Sequence, residues 1–218
     1  MLWGPLLFKI TKSDTHIFLD DVEFSKGDYQ NRNYLYDFRS GRKLLVTIPV
    51  KKKGNNITIM DKEISDNSWK KKHLRTLSQL YSHEPFFNEV FDICLEIIGN
   101  KYHSLGMLNM DFIKMISNYL EIECCFKRSS EFGITSVKTN KIVDLLNCIG
   151  ADTYLTSKHG ISEYLDLNLL YENDKSVEVI EYDFQIQEDY CSVISMLMRY
   201  GKETKNIIQK KGIIRKNE

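Results

Sequence analysis

The chain has 218 residues, 30 of them Lys or Arg and 30 Asp or Glu, so its formal net charge is zero. That balance excludes a nucleic-acid binder that works by bulk charge, because such a footprint needs a clear basic excess. Hydrophobic residues at 42% and aromatics at 11% exclude a disordered chain and suffice for one domain or two small ones.

No stretch approaches the ~20 apolar residues of a membrane span. The opening MLWGPLLFKITKSD has no basic residues ahead of its apolar run and no small-residue cleavage site after it, so it does not read as a signal peptide. The five cysteines (Cys94, Cys124, Cys125, Cys148 and Cys191) are odd in number and form no CxxC. Reduced thiols in a cytosolic protein fit that usage.

Residues 3–12 predict a short helix and 14–19 a strand, bounded by Asp20 and Asp21. Residues 21–34 are polar and irregular. A hairpin is expected at Ser40–Gly41, with arms at 34–38 and 43–50. Residues 51–56 read as a turn and 57–60 as a short strand. From Ser65 the period becomes helical: Ser68 or Asp66 caps a helix to about Ser82, with Leu74, Leu77, Leu80 and Tyr81 as its apolar stripe. Glu84–Pro85 restarts a helix that carries Phe86, Phe87, Val90 and Phe91, and 108–120 is a third, with Asn109 as its cap.

The second half alternates helix and short strand. A strand at 121–126 precedes a helix at 139–149 that closes on Gly150, a C-cap signal. A strand at 152–155, a helical turn at 160–165, a strand at 177–182 and a helix at 190–200 follow, and a basic tail from Lys202 is expected to fray. Such alternation predicts βαβ units. The expected fold is one α/β domain over 1–201, a parallel or mixed central sheet flanked by helices, with a helical insertion at about 65–120 and a flexible basic tail at 202–218.

No GxGxxG, GxxxxGK[ST], GxSxG or HExxH occurs, which disfavours dinucleotide enzymes, P-loop kinases and α/β-hydrolases. The most informative segment is the polar block that begins at Asp20 and Asp21 and ends in Gln30, Asn31, Arg32 and Asn33. It follows a predicted strand, and ligands of open α/β sheets gather at the carboxyl ends of strands. Two adjacent carboxylates there suit a divalent ion or the proton of an amine. The amides and the guanidinium suit a sugar, amide or phosphate. The competing reading is an ordinary turn, with both aspartates capping and Arg32 in a structural ion pair.

Trp69, Lys70, Lys71, Lys72 and His73 open a helix, where each positive charge costs a few tenths of a kcal/mol. A phosphate held by Lys72 and the helix N–H groups would offset that cost. A solvated face stapled by Trp69 is the alternative. His73 shares a face with Leu77 and is the candidate general base. Lys138 and Thr139 open a helix that suits an anion, unless Thr139 is only a cap. Ser157 follows a strand, as a ligand loop or a turn. No His or Cys pair has metal-ligand spacing.

Several blocks occur in a telling order: Trp3 and Asp14, then FLDDVEFSK (18–26), YQNRN (29–33) and LLVTIPV (44–50). They continue with Trp69, KKHLRTLSQLY (71–81), EPFF (84–87), KTNKIVDLLNCIGADTYLTS (138–157), ISEYLD (161–166) and DYCSVISMLMRYG (189–201). Together they resemble the WbqC-like family of bacterial O-antigen and polysaccharide gene clusters. The family's D-D-V-Q-F block matches Asp20, Asp21, Val22 and Phe24, with Glu23 in place of Gln. Its N-R-N block matches Asn31, Arg32 and Asn33. Its W…K-H block matches Trp69, Lys72 and His73, and its K-T block Lys138 and Thr139. The family commonly opens with a strand and a Pro-Trp-type turn. Here the chain starts almost at the Trp, Pro5 stands where Gly is usual, Ser195 where Asp is common and Arg199 where Asn is common.

The resemblance implies a cytoplasmic transferase of lipopolysaccharide O-antigen biosynthesis that moves an aminoacyl (glycyl) group onto an amino-sugar nucleotide. In that reading Asp20, Asp21 or His73 is the base. Gln30, Asn31, Arg32, Asn33, Trp69, Lys72, Lys138, Thr139 and Ser157 bind substrate. Its ligands are a sugar nucleotide and an activated amino acid, a homodimer is compatible with it, and no cofactor is evident. The alternative is a nucleotidyl-transfer or adenylate-forming enzyme, which would bring Mg2+ and ATP. A third class is a non-catalytic sugar-nucleotide-binding partner.

Overall fold

A computed structural model describes residues 2–52 and 57–217. Helix α1 (Gly4–Thr11) has Pro5 in its first turn, where a missing N–H costs nothing. Strand β1 (Thr15–Phe18) follows, then the polar loop, then the hairpin of β2 (Arg32–Asp37) and β3 (Arg42–Thr47). Gly41 supplies the positive φ of +69° at its turn, a backbone angle that favours glycine.

Helices α2 (Ser68–Tyr81), α3 (Phe87–Gly99) and α4 (Leu105–Tyr119) form the helical stretch expected at 65–120. The Asp66 carboxylate accepts the Ser68 N–H at 2.8 Å, while the N-cap position itself falls on Asn67, whose side chain makes no cap. The remaining elements are β4 (Cys125–Arg128), α5 (Lys138–Ile149), β5 (Thr153–Ser157), α6 (Lys158–Tyr164), α7 (Leu167–Glu172), β6 (Ser176–Tyr182), α8 (Val193–Tyr200), α9 (Thr204–Lys211) and β7 (Gly212–Lys216).

The fold is α/β with parallel and mixed pairing. β1 pairs parallel with β4, β2 antiparallel with β3, and β6 lies between parallel β5 and antiparallel β7. The strands therefore make three small sheets rather than one central sheet. Between β1 and β5 lies a cleft of about 500 Å3 in place of a ladder. The main core joins α1, α2, α3, α4, α8 and α9 through fully buried residues such as Leu7, Tyr81, Ile116, Leu197 and Ile208. A second cluster joins α5, α7 and β6 through Ile142, Leu146, Leu170 and Val177. Each such side chain contributes about 1.5–3 kcal/mol on burial.

Several expectations shift. Residues 57–60 form no strand but one isolated antiparallel bridge, Thr58 with Glu23, that runs into a turn at Ile59 and Met60: Phe24 donates to the Ile57 carbonyl, Ile59 to Val22 and Met60 to Asp20. Part of the turn expected at 51–56 lies outside the described residues. Helix α4 starts earlier than expected, capped by the Ser104 hydroxyl. Asn109 is inside it, with its amide donating to the Gln30 carbonyl at 2.8 Å. The strand expected at 121–126 starts at Cys125, since Glu121 takes a left-handed φ of +54° at the end of α4.

The basic tail is the largest correction. It does not fray. Ile208 is buried in the main core, Lys211 pairs with the buried Asp189, and Arg215 pairs with Glu181 nearer the surface. The apolar positions of α9 and β7 are interspersed with lysines, which hid their periodicity. Among the described residues, no helix is long and apolar enough to cross a membrane.

Candidate functional site

The carboxyl ends of the parallel pair β1–β4 bring together the two aspartates after β1 and the two serines after β4. Asp20 is buried. Its carboxylate accepts from the Ser130 N–H at 3.0 Å, the Ser130 hydroxyl at 2.8 Å and the Ser129 hydroxyl at 3.2 Å. With these bonds it fastens the turn after β4 to the end of β1. Asp21 is more open. It accepts from the Ser129 hydroxyl and pairs at 2.6 Å with the ammonium of Lys141, itself almost buried on α5. Burial alone would raise the Asp21 pKa. The Lys141 and Ser129 hydrogen bonds and the Lys141 charge outweigh it and hold the carboxyl below its ordinary value. Among the described residues no group of three His, Cys, Asp or Glu side chains converges as metal ligands would.

The head of α5 lies one turn before Lys141. Val137 at its N-cap position offers no side-chain cap, so the first N–H groups of α5 are not closed off by a side chain. Lys138 is exposed and takes a left-handed φ of +54°, a conformation that costs a non-glycine residue of order 1–3 kcal/mol. Thr139 is buried. Its hydroxyl donates to the Tyr164 carbonyl at 3.3 Å and accepts the Asp166 N–H at 2.9 Å, tying α5 to the α6–α7 junction. Ser157, at the end of β5, caps α6 by accepting the Gly160 N–H at 3.2 Å.

The other residues singled out in the sequence form a separate group. Gln30 accepts the Ser25 N–H at 3.1 Å. Asn31 donates to the Ile48 carbonyl at 2.9 Å, and Arg32 donates to the Gly27 carbonyl. Asn33 is fully buried, with its oxygen on the Tyr34 N–H and its amide nitrogen without a partner. Across the hairpin, Trp69 and His73 of α2 pack edge to face at 5.0 Å. They line an apolar cavity of about 50 Å3 with Leu35, Val46 and Leu77. Burial and the nearby Lys72 charge lower the His73 pKa, against a hydrogen bond to the Thr47 backbone. Lys72 is exposed. No hydrogen bond or ion pair among the described residues joins this group to Asp20 and Asp21.

Three groups escaped the reading of the sequence. Ser129, Ser130 and Lys141 complete the aspartate cluster. Lys141 follows Lys138 by three residues, a helical spacing that places the two on neighbouring positions. Glu188 is 4% exposed, and one of its oxygens has no hydrogen bond. Burial first, then the charge of Asp189, push its pKa up to about 7. Beside it Asp189 accepts from the N–H groups of Gln185 and Ile186 and from Lys211. Trp3, whose indole N–H donates to the Asp189 carbonyl, stacks between Tyr29 and Phe184.

Among solved structures none matches this chain. It is similar, at 26% identity over 219 residues, to an uncharacterized protein, Rv1507c, of Mycobacterium tuberculosis (strain ATCC 25618 / H37Rv), an alignment that covers 95% of this chain and 93% of that protein. A model of the WbqC-like protein family matches residues 3–207. With that match over nearly its whole length, and the aspartate pair and both basic helix openings inside it, the chain belongs to the WbqC-like protein family.

Proposed function

We propose that the protein transfers an aminoacyl group, glycyl in the leading case, onto the amine of an amino-sugar nucleotide in the synthesis of a bacterial surface polysaccharide. One observation supports this reading above the others: the ionised Asp21 carboxylate sits at the carboxyl end of β1, one helical turn from the uncapped, lysine-bearing head of α5. A carboxylate attracts and orients an amine, and a helix head with a lysine holds phosphate.

In the reaction the sugar nitrogen attacks the activated carbonyl carbon. A C–N bond forms, the bond to the donor's leaving group breaks, and that group departs with the electron pair. The amine gives up one proton as the amide forms, and the departing group takes it up on the electron pair it carries away. Asp21 orients the amine. Lys138 and the α5 N–H groups bind the diphosphate. Asp20 is spent on the turn after β4 and acts as a positioning residue. His73 faces the interior of the helical stretch and takes no part in this scheme.

Mass spectrometry of reactions with amino-sugar nucleotides and an aminoacyl donor is the test. The expected product is the sugar nucleotide heavier by one glycyl unit. Asp21→Asn and Lys138→Ala should each lower kcat/KM by about tenfold or more. Pyrophosphate released from ATP with glycine alone would assign the adenylate-forming reaction instead. A thermal shift with sugar nucleotide but no turnover would assign a binding role.

A further inference from the structure

The hairpin of β2 and β3 has one covered edge and one open edge. Two observations fix which main-chain groups lie on each. Ile48 donates to the Asn31 carbonyl, one residue past the Arg32–Thr47 pair. On the far side of β2, Ser192 donates to the Tyr34 carbonyl, and the Tyr36 N–H donates to the Ser195 hydroxyl. Main-chain groups of successive strand residues point to opposite sides. Tyr34 and Tyr36 therefore face α8, and their partners Leu45 and Lys43 turn their N–H and C=O groups away from β2. Thr47 does the same, but its carbonyl accepts the His73 imidazole. No hydrogen bond among the described residues reaches the N–H or C=O of Lys43 or Leu45.

The side chains along this edge do not guard it. Protein edges are commonly blunted by a bulge, a proline or a charge aimed outward. β3 pairs with β2 without a break from Arg42 to Thr47, and Pro49 comes only after it. Lys43 is folded back, its ammonium 5.3 Å over the Tyr34 ring and 5.5 Å over that of Tyr190. Leu44 and Leu45 are 44% and 43% exposed, one on each face of the hairpin.

A second copy of the same edge fits it. Two copies related by a two-fold axis pair antiparallel, and outward residues must meet outward residues. With the axis at Leu44, Lys43 of each copy lies opposite Leu45 of the other, and the N–H groups of these residues meet each other's carbonyls. Leu44 then faces Leu44 at the close spacing of a pair without hydrogen bonds. Arg42 faces Val46, so no like charges stand directly opposed. An axis at Leu45 would call instead on the Thr47 carbonyl that His73 holds.

We propose that β3 is the seam of a homodimer, in which the hairpins of two copies join through Lys43, Leu44 and Leu45 into one antiparallel sheet.

Sedimentation of the whole chain should show its mass double between about 1 and 100 µM, the range of a small reversible interface. Over that range the amides of Lys43 and Leu45 should gain protection from hydrogen exchange. Leu44→Lys sets two ammonium groups opposite one another and should weaken association at least about tenfold. The register is read by disulfide trapping in a Cys125→Ser, Cys148→Ser background, which removes the exposed thiols. Leu44→Cys should crosslink two copies at least about tenfold faster than Leu45→Cys, because only directly opposed Cβ atoms come within disulfide reach. Where Leu44→Lys fails to fold, the two cysteine variants decide the matter. A chain that stays monomeric throughout the range overturns the proposal. So does association that Leu44→Lys leaves intact, protection that spares Lys43 and Leu45, or a Leu45→Cys crosslink as fast as that of Leu44→Cys.

Discussion

Glu188 gives the molecule a pH dependence that can be followed at one carboxyl. Its pKa is about 4.5 in an unfolded chain and about 7 in the folded one, so between those values the folded state binds more protons. Stability therefore falls as pH rises from about 4.5 to 7. The difference corresponds to on the order of 3 kcal/mol. Glu188→Gln should remove this fall, so that Tm measured across that window becomes flatter and, at pH 8, higher than in the parent. Asp21 works in the opposite sense: its lowered pKa stabilises the fold at neutral pH and loses effect only as acid titrates the carboxyl. At this scale the sequence was legible where a residue's role follows from its place on one element. Asp20 and Asp21 stand at the end of a strand that the pattern predicts. Lys141 and Glu188 acquire their character from groups 120 and more residues away or from burial that no local pattern records.

Elements were legible where apolar periodicity was strong and punctuated. The hairpin at Ser40–Gly41, helix α5 closed by Gly150 and the three helices after Ser65 all follow from such signals. His73 shares a face with Leu77 as the spacing requires, but that face turns inward, and the direction of a face is a tertiary fact. The tail failed the same reading because its lysines mask a narrow stripe, the buried Ile208 with Ile207 and Ile214 half-buried against the core. Its weight can be measured. Removing residues 204–217 takes away the antiparallel partner of β6 and the buried Ile208. It also strips Lys211 from Asp189 and leaves that carboxylate buried without its cation, a loss of about 3–5 kcal/mol by itself. The truncated chain should be recovered as aggregate, and a fold with an unchanged Tm would contradict the structural role given to the tail.

Across the whole molecule the charges balance, with a sequence pI of about 7.0. Proteins without net charge repel one another least. Light scattering in low salt should therefore show a solubility minimum near pH 7, relieved at pH 8.5, and a flat profile would count against it. The zero sum hides local order. Acidic side chains gather after β1, whereas lysines crowd the openings of α2 and α5. What the sequence could not disclose is how the parallel pairs divide. Three sheets instead of one depend on whether β1 and β5 meet, and each strand's own pattern is the same in either case.

The first and last elements are neighbours. The Leu2 carbonyl accepts from Val193 and from the Ser192 hydroxyl. Trp3 bridges to Ser192, α1 packs on α9, and Gly212 lies against the Phe8 ring, where a Cβ would come within 2.5 Å. During synthesis, then, α1 finds these partners only once α8, α9 and β7 have also emerged. Until then its apolar side, with Leu7, Phe8 and Ile10, lacks the cover that α9 gives it. The nascent polypeptide thus offers holding chaperones a binding stretch at α1 for as long as those elements are unmade.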